Sequence, residues 1–219
     1  MRAFLKKISH PFLKLGLRLY YWKPRTFCYD NISIKVHPEV FPPQMTFSTK
    51  ILLDFINDLD LKQKTFLELG CGSGIISLLA AKKGADVTSS DINQIALDYL
   101  ATNASKNKLQ LKIVHSDLFD KLKNQSFDYI IINPPYYPKK PKNIKEQAWF
   151  CGENFEYFEK LFVQLPSYLA TANCYMILSQ DCDVEKIKAI GLKKALTFEV
   201  VLEKKELVET NYIFKVVSL

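Results

Sequence analysis

Only seven glycines and three histidines occur in 219 residues. The five cysteines (Cys28, Cys71, Cys151, Cys174 and Cys182) are odd in number and form no Cys-x-x-Cys pair. Ligands this sparse give no zinc site, and no metal is expected. A reduced, cytoplasmic chain is the simplest reading of unpaired cysteines. No apolar run approaches the roughly 18 residues of a membrane-spanning helix. Internal repeats, low-complexity tracts and interdomain linkers are missing too. Acid is absent from one region: none precedes Asp30, whereas Arg2, Lys6, Lys7, Lys14, Arg18, Lys23 and Arg25 do. The formal charge of +7 therefore lies in the N-terminal arm, and the other 23 basic residues balance the 23 acidic ones.

What is there centres on Thr65-Phe-Leu-Glu-Leu-Gly-Cys-Gly-Ser-Gly74. Apolar residues lead in, glycines follow, and Ile75-Ile76-Ser77-Leu78-Leu79 leads out, the pattern of a strand, a tight turn and a helix start. Three of the seven glycines fall here, at Gly70, Gly72 and Gly74. Backbone without Cβ atoms at a helix N-terminus lets a polar or anionic ligand group approach closely. Asp86-Val-Thr-Ser-Ser-Asp91 reads as the next strand. An acid at its end suits the hydroxyls of a ribose. A dinucleotide turn would read Gly-x-Gly-x-x-Gly, and the spacing here differs.

Alternating strand and helix patterns continue through the chain. Strands are expected at 65–69, 86–90, 109–115, 127–132 and 174–179. Helices are expected at 51–59, 75–83, 94–106, 153–169 and 184–190, with Ser48 or Thr49 capping the first. Two β-rich runs, 195–202 and 207–217, close the chain. Alternation of this kind implies a parallel sheet with right-handed crossovers. Ahead of it, residues 26–29 and 32–36 flank Asp30-Asn31 as a β-hairpin.

The motif that carries chemistry is Asn133-Pro134-Pro135-Tyr136, directly after the buried strand Phe127–Ile132. The nitrogen of an amide or aromatic amine is a poor nucleophile because its lone pair is delocalised. The Asn133 side-chain oxygen and the Pro134 carbonyl can each accept one of its N–H bonds. Held so, the nitrogen can pyramidalise and free its lone pair. The prolines stiffen these acceptors and bring no N–H of their own to compete. Tyr136 offers a face for a flat substrate and a passing cation. The plainer alternative is a Pro-Pro turn that ends a strand.

Glu68-Leu69-Gly70-Cys71-Gly72-Ser73-Gly74 resembles the nucleotide loop of class I S-adenosylmethionine (SAM)-dependent methyltransferases. With the tetrad added, residues 40–219 look most like the HemK-like and small-methyltransferase-domain group. That resemblance implies an α/β fold: a Rossmann-like, seven-stranded, mostly parallel sheet with helices on both faces and an antiparallel last strand. It implies two parts, a basic arm and hairpin at 1–45 and a methyltransferase domain at 46–219. Glu68 and Gly70 would lie at the methionine end of SAM, Asp91 on the ribose and Asp117 on the adenine. Thr49, Cys71, Gly72, Gly74, Ile92 and Leu118 would complete the cofactor site together with Asn133, which also serves catalysis beside Pro134, Pro135 and Tyr136. The activity implied is methyl transfer to a planar amide or amino nitrogen, in a monomer working on the translation machinery. A protein glutamine amide, as in a release factor, or a base of rRNA or tRNA would be the substrate. A SAM- or RNA-binding module without turnover is the reading of a different class. Two departures from the group stand out. Its Gly-Gly…Asp-Gly run is replaced by Cys151-Gly152-Glu153-Asn154-Phe155, and the basic arm stands where release-factor enzymes carry an N-terminal domain.

Two stretches keep several readings. Residues 2–22 mix basic residues with Phe4, Leu5, Ile8, Phe12 and Leu13. They could form a solvated amphipathic cap, an RNA-binding surface or an interfacial membrane helix. The loop 137–150 carries Lys139, Lys140, Lys142 and Lys145 before Trp149 and Phe150. It reads equally as a lid and as a grip on RNA.

Overall fold

The computed structural model describes residues 22–206 and 209–219. The arm at 2–21, with its three readings, lies outside the described residues. No helix among those described is long and apolar enough to cross a membrane.

The described chain opens with a hairpin of β1 (Arg25–Tyr29) and β2 (Ile32–Val36). Its turn residues, Asp30 and Asn31, both take positive φ, 43° and 60°. Short polar residues tolerate that region, which a two-residue turn of this kind requires. A short 3-10 turn, Pro43–Met45, leads into α1 (Phe47–Asn57). There follow β3 (Thr65–Leu69), α2 (Ile75–Lys82), β4 (Asp86–Asp91), α3 (Gln94–Lys106), β5 (Lys112–His115) and β6 (Tyr129–Ile132). The last part comprises α4 (Glu156–Gln164), β7 (Asn173–Ser179), α5 (Val184–Leu192), β8 (Leu196–Glu206) and β9 (Glu209–Ser218).

Strands β3 to β9 form one sheet in the order β5-β4-β3-β6-β7-β9-β8. Pairing is parallel from β5 across to β7, and β9 runs antiparallel to both of its neighbours. Each face carries its own core. Ile51, Leu52, Leu79, Leu97 and Leu100 from α1–α3 cover one face together with Ile131, Ile177 and Ile213. Phe158, Leu161, Phe162, Ile187 and Ile190 from α4 and α5 cover the other, against Ile130, Met176 and Phe214. Sheets buried on both faces carry near-continuous apolar strands, as Tyr129-Ile-Ile-Ile132 does.

Several boundaries differ from the sequence expectation, each for a local reason. Helix α1 starts at Phe47 with Thr46 at its cap position, so Ser48 and Thr49 sit inside its first turn rather than capping it. The 3-10 turn at Pro43 has already brought the chain round by that point. Strand β5 starts at Lys112, because α3 ends with Lys108 at φ 57° and the Leu109 N–H bonding back to the Ala104 carbonyl. Helix α4 starts only at Glu156, after Phe155 at φ 62°. It passes into a 3-10 turn at Leu165–Tyr168, where Pro166 can donate no helical hydrogen bond.

The hairpin shares the core of the sheet, since Ile32, Ile34 and Val36 pack in the α1–α3 cluster. Two side-chain amides of α3 hold it there. Asn103 accepts from the Lys35 N–H at 2.9 Å and donates to the Lys35 carbonyl at 2.9 Å. Asn107 treats Ser33 the same way, at 3.1 and 2.9 Å. Four helical residues rise about 6 Å, close to the ~6.8 Å between alternate strand residues, so the two amides stay in step with β2. Asn103 is fully buried. Asn103→Ala therefore leaves a backbone donor and acceptor of Lys35 without partners, and we expect a loss of about 1–3 kcal/mol in urea unfolding. Asn107→Ala, nearer the solvent, should cost less.

Candidate active site

The chain order reverses between β3 and β6. From β3 it proceeds outward through β4 and β5, then returns to β6 on the other side and continues to β7. Ligands bind where such a reversal splays the loops at the carboxyl ends of the strands. Here the register pairs Leu69 with Ile132. The next residues along are Gly70 and Asn133, so the glycine turn and the Asn-Pro-Pro-Tyr tetrad leave the sheet side by side. All four tetrad residues line one cavity together with Glu68, Gly70, Cys71, Gly72, Asp91, Ile92, Asp117, Leu118 and Thr49. The Asn133 side chain makes no hydrogen bond to a described residue.

Of the residues picked out from sequence, Gly74 is the exception and does not line the cavity. It caps α2 at φ 72°, and a Cβ there would come within 2.4 Å of Leu100. This glycine serves the packing of α2 against α3. At Gly70, φ is 76° and no atom lies within 4 Å of where a Cβ would stand, so the turn is open on that side.

The wall on the glycine side is built on two acids, Glu68 buried and Asp91 half-buried. The Glu68 Oε2 accepts from the Ser77 N–H at 2.8 Å and from the Ser77 hydroxyl, which in turn accepts from the Ser89 hydroxyl at 2.6 Å. Ser77 is in the first turn of α2, so this carboxyl faces the positive end of the helix. Asp91 accepts from the Gly72 N–H at 2.7 Å with one oxygen and from the Asn93 N–H at 2.8 Å with the other. Burial pushes the Glu68 carboxyl up to about 8 against the pull of the Ser77 bonds, and the nearby Asp91 adds to the rise. Burial also raises Asp91, opposed by its backbone donors. Among the described residues neither acid has an ion-pair partner.

Beyond β5, Ser116, Asp117 and Leu118 form the adjoining wall. Leu118 takes φ 51°, and the Ser116 hydroxyl donates to its carbonyl at 2.8 Å. The far wall comes from the loop 137–150. Its base is closed by the Tyr137 N–H on the Trp149 carbonyl (3.1 Å) and the Cys151 N–H on the Tyr137 carbonyl (3.0 Å). Ile144, Gln147, Ala148 and Trp149 line the cavity, and Trp149 meets Phe41 with ring centroids 4.7 Å apart. The loop lysines Lys139, Lys140, Lys142 and Lys145 point outward and are exposed.

Several lining residues escaped the sequence reading. Ser48 and Ser116 adjoin residues that it did select. Asn93 shows itself as the cap of α3, its side chain accepting from the Ile95 N–H. Tyr157 gave no signal, because it comes from α4 on the opposite face of the sheet. Burial, then Asp91 and Asp117, hold its phenol well above the usual range, and burial does the same for Tyr136.

These walls fit SAM. Glu68 and Asp91, without ion-pair partners among the described residues, suit a ligand that carries an ammonium and a sulfonium. The Glu68 shift also has a consequence for the empty protein. An acid with a raised folded-state pKa contributes stability that is fully present below its unfolded value of 4.5 and is lost as pH rises through about 8. Denaturant unfolding of the cofactor-free protein should therefore show the parent losing stability relative to Glu68→Gln as pH rises from 5 to about 8. The glutamine can still accept from Ser77, so parallel pH profiles would contradict a raised Glu68.

Comparison with known proteins agrees with this geometry. The methyltransferase small domain family matches residues 31–150. A Methanocaldococcus jannaschii protein named as a protein N5-glutamine methyltransferase is 32% identical over 193 residues, covering 83% of this chain and 95% of that protein. Ribosomal RNA small subunit methyltransferase C of Haemophilus influenzae is 36% identical over 164 residues, 69% of this chain but 49% of that enzyme. The fold matches a chain of the E. cuniculi Mtq2-Trm112 complex with a TM-score of 0.63 at 22% identity, over 83% of this chain and 99% of that one. With the family matched over more than half of its length, the chain belongs to the methyltransferase small domain family and is a SAM-dependent methyltransferase.

Proposed function

We propose that the protein methylates a planar nitrogen, the side-chain amide of a glutamine in a protein of the translation machinery. The observation that carries this reading is the Asn133-Pro134 pair, with no hydrogen bond from the Asn133 side chain to a described residue, adjacent to Gly70 across the β3–β6 register. The M. jannaschii relative, matched over nearly its whole length, bears the name of such an activity.

In this reading Glu68 and Gly70 receive the methionine end of SAM, Asp91 its ribose and Asp117 its adenine amino group. SAM supplies an electrophilic methyl group on a sulfonium. The residues of the chain do the rest by position. Asn133 Oδ1 and the Pro134 carbonyl accept the two N–H bonds of the amide and turn its lone pair away from the carbonyl. These acceptors strengthen as positive charge develops on the nitrogen, which is differential stabilisation of the transition state. The phenols of Tyr136 and Tyr157 stay protonated because burial raises them, so neither serves as a base. The proton leaves the nitrogen after transfer, when the methylated amide is acidic enough to release it to water.

A second reading, methylation of a nucleobase amino group, draws on the four exposed lysines of the loop beside the cavity. The two separate cleanly. Extract from cells lacking the protein, incubated with it and methyl-labelled SAM, should give label that protease releases and RNase does not. Complete enzymatic digestion of the protein fraction should then yield N5-methylglutamine, and acid hydrolysis should release the label as methylamine. Label released by RNase would replace the first reading with the second.

Asn133→Ala should lower the methyl-transfer rate about 10²–10³-fold, as loss of one preorganised polar group does elsewhere, with SAM affinity by calorimetry little changed. Asn133→Asp keeps an acceptor and should retain partial activity. Parental turnover in both variants would reduce the tetrad to a strand-ending turn.

A further inference from the structure

Helix α4 packs on the face of the sheet opposite α2, and two of its side chains reach the loop that follows β5. Lys160 Nζ bonds Asp117 Oδ2 at 2.6 Å and Asp120 Oδ2 at 2.8 Å. One turn on, Gln164 donates to Asp120 Oδ1 at 2.7 Å and accepts from the Phe119 N–H at 3.2 Å. Residues four apart share a helix face, so these two side chains act on the loop as one clamp. The loop needs holding. Leu118, on the cavity wall, takes φ 51°, a region that a leucine occupies only when its surroundings impose it. Asp117 and Asp120 also repel each other unless a cation stands between them.

The clamp ties down one oxygen of Asp117, Oδ2. Asp117 lines the cavity, and its Oδ1 has no partner among the described residues. Tyr157, three residues before Lys160 on the same helix, lines the same cavity, so α4 is seated against the site. We propose that Lys160 is a positioning residue for the adenine end of the cofactor: it holds the Asp117 carboxylate turned so that Oδ1 accepts from the exocyclic amine. This rests on the assignment of Asp117 to adenine made above. It adds a source for base specificity. A carboxylate fixed in place attracts an amino group and repels the carbonyl oxygen that replaces it in hypoxanthine, the kind of polar mismatch that discriminates strongly. A carboxylate free to rotate away would discriminate less.

Both ion pairs are half-exposed, and such pairs contribute little to stability. Lys160→Met should therefore unfold in denaturant much as the parent does, and its effect should appear in binding. By calorimetry we expect S-adenosylhomocysteine to bind about 5- to 20-fold more weakly, between the loss of a surface ion pair and that of a charged hydrogen bond. The deaminated analogue S-inosylhomocysteine should change less than about twofold, and Lys160→Arg should restore most of the adenosyl preference. In an Asp117→Ala background the Lys160→Met change should have no further effect. Equal weakening of both ligands, or an undiminished Lys160 effect without Asp117, would overturn the positioning role while leaving the adenine assignment intact. An Asp117→Ala protein that binds S-adenosylhomocysteine like the parent would instead remove the assignment itself, and the proposal with it.

Discussion

The carboxylate of Asp91 is the contact on which the glycine-turn side of the cavity depends. It stands at the end of β4 and spans two neighbouring loops, taking the Gly72 N–H on one oxygen and the Asn93 N–H on the other. The Gly70 and Cys71 N–H groups bond the Ser90 carbonyl alongside, so the glycine turn is held against β4 by three backbone donors. Asn93 carries the tie further. Its side chain caps α3 at the Ile95 N–H and donates to the Glu39 carbonyl, next to the chain that brings Val40 and Phe41 to the cavity. A carboxylate drawn partly out of water is costly unless donors compensate its charge. Burial raises Asp91 here, and the backbone donors it organises act against that rise.

The second constraint is the reversal of strand order. Parallel pairing of β3 with β6 sets residues that follow Leu69 beside residues that follow Ile132. That adjacency brings the glycine turn and the Pro-Pro turn to one spot. The cavity between them holds two acids, Glu68 and Asp91, without ion-pair partners among the described residues, and tyrosines kept neutral by burial. Such a lining favours a positively charged cofactor and offers no strong base. In the proposed function, position and electrostatics are the means of catalysis, and they suit a weak nucleophile that must be oriented rather than deprotonated.

Closure comes from segments far apart in the chain. Phe41, ahead of α1, and Trp149, at the end of the loop after the tetrad, meet across 4.7 Å between ring centroids. The loop that carries Trp149 is closed by hydrogen bonds at its base, so it turns apolar residues toward the cavity and lysines toward solvent. The lid and grip readings of that loop thus concern its two different faces.

The sequence by itself determined the strand and helix order and picked out the two turns and most of the side chains that line the cavity. These are local matters. Glycines at a strand end, an acid at the next strand end and two prolines after an apolar run each state their conformation within a few residues. Boundaries were legible only where a local signal was strong. The Asp30-Asn31 hairpin was, whereas the starts of α1 and α4 depended on a 3-10 turn and a left-handed Phe155 that no short pattern announces. Only the tertiary structure decided that Gly74 serves helix packing, since its neighbour Leu100 lies 26 residues away in sequence and in contact only after folding. The same holds for Tyr157, for the Asn103 and Asn107 amides on β2, and for Lys160 on Asp117. Each joins groups from separate elements, and sheet register and crossover geometry, rather than spacing along the chain, set which of them meet.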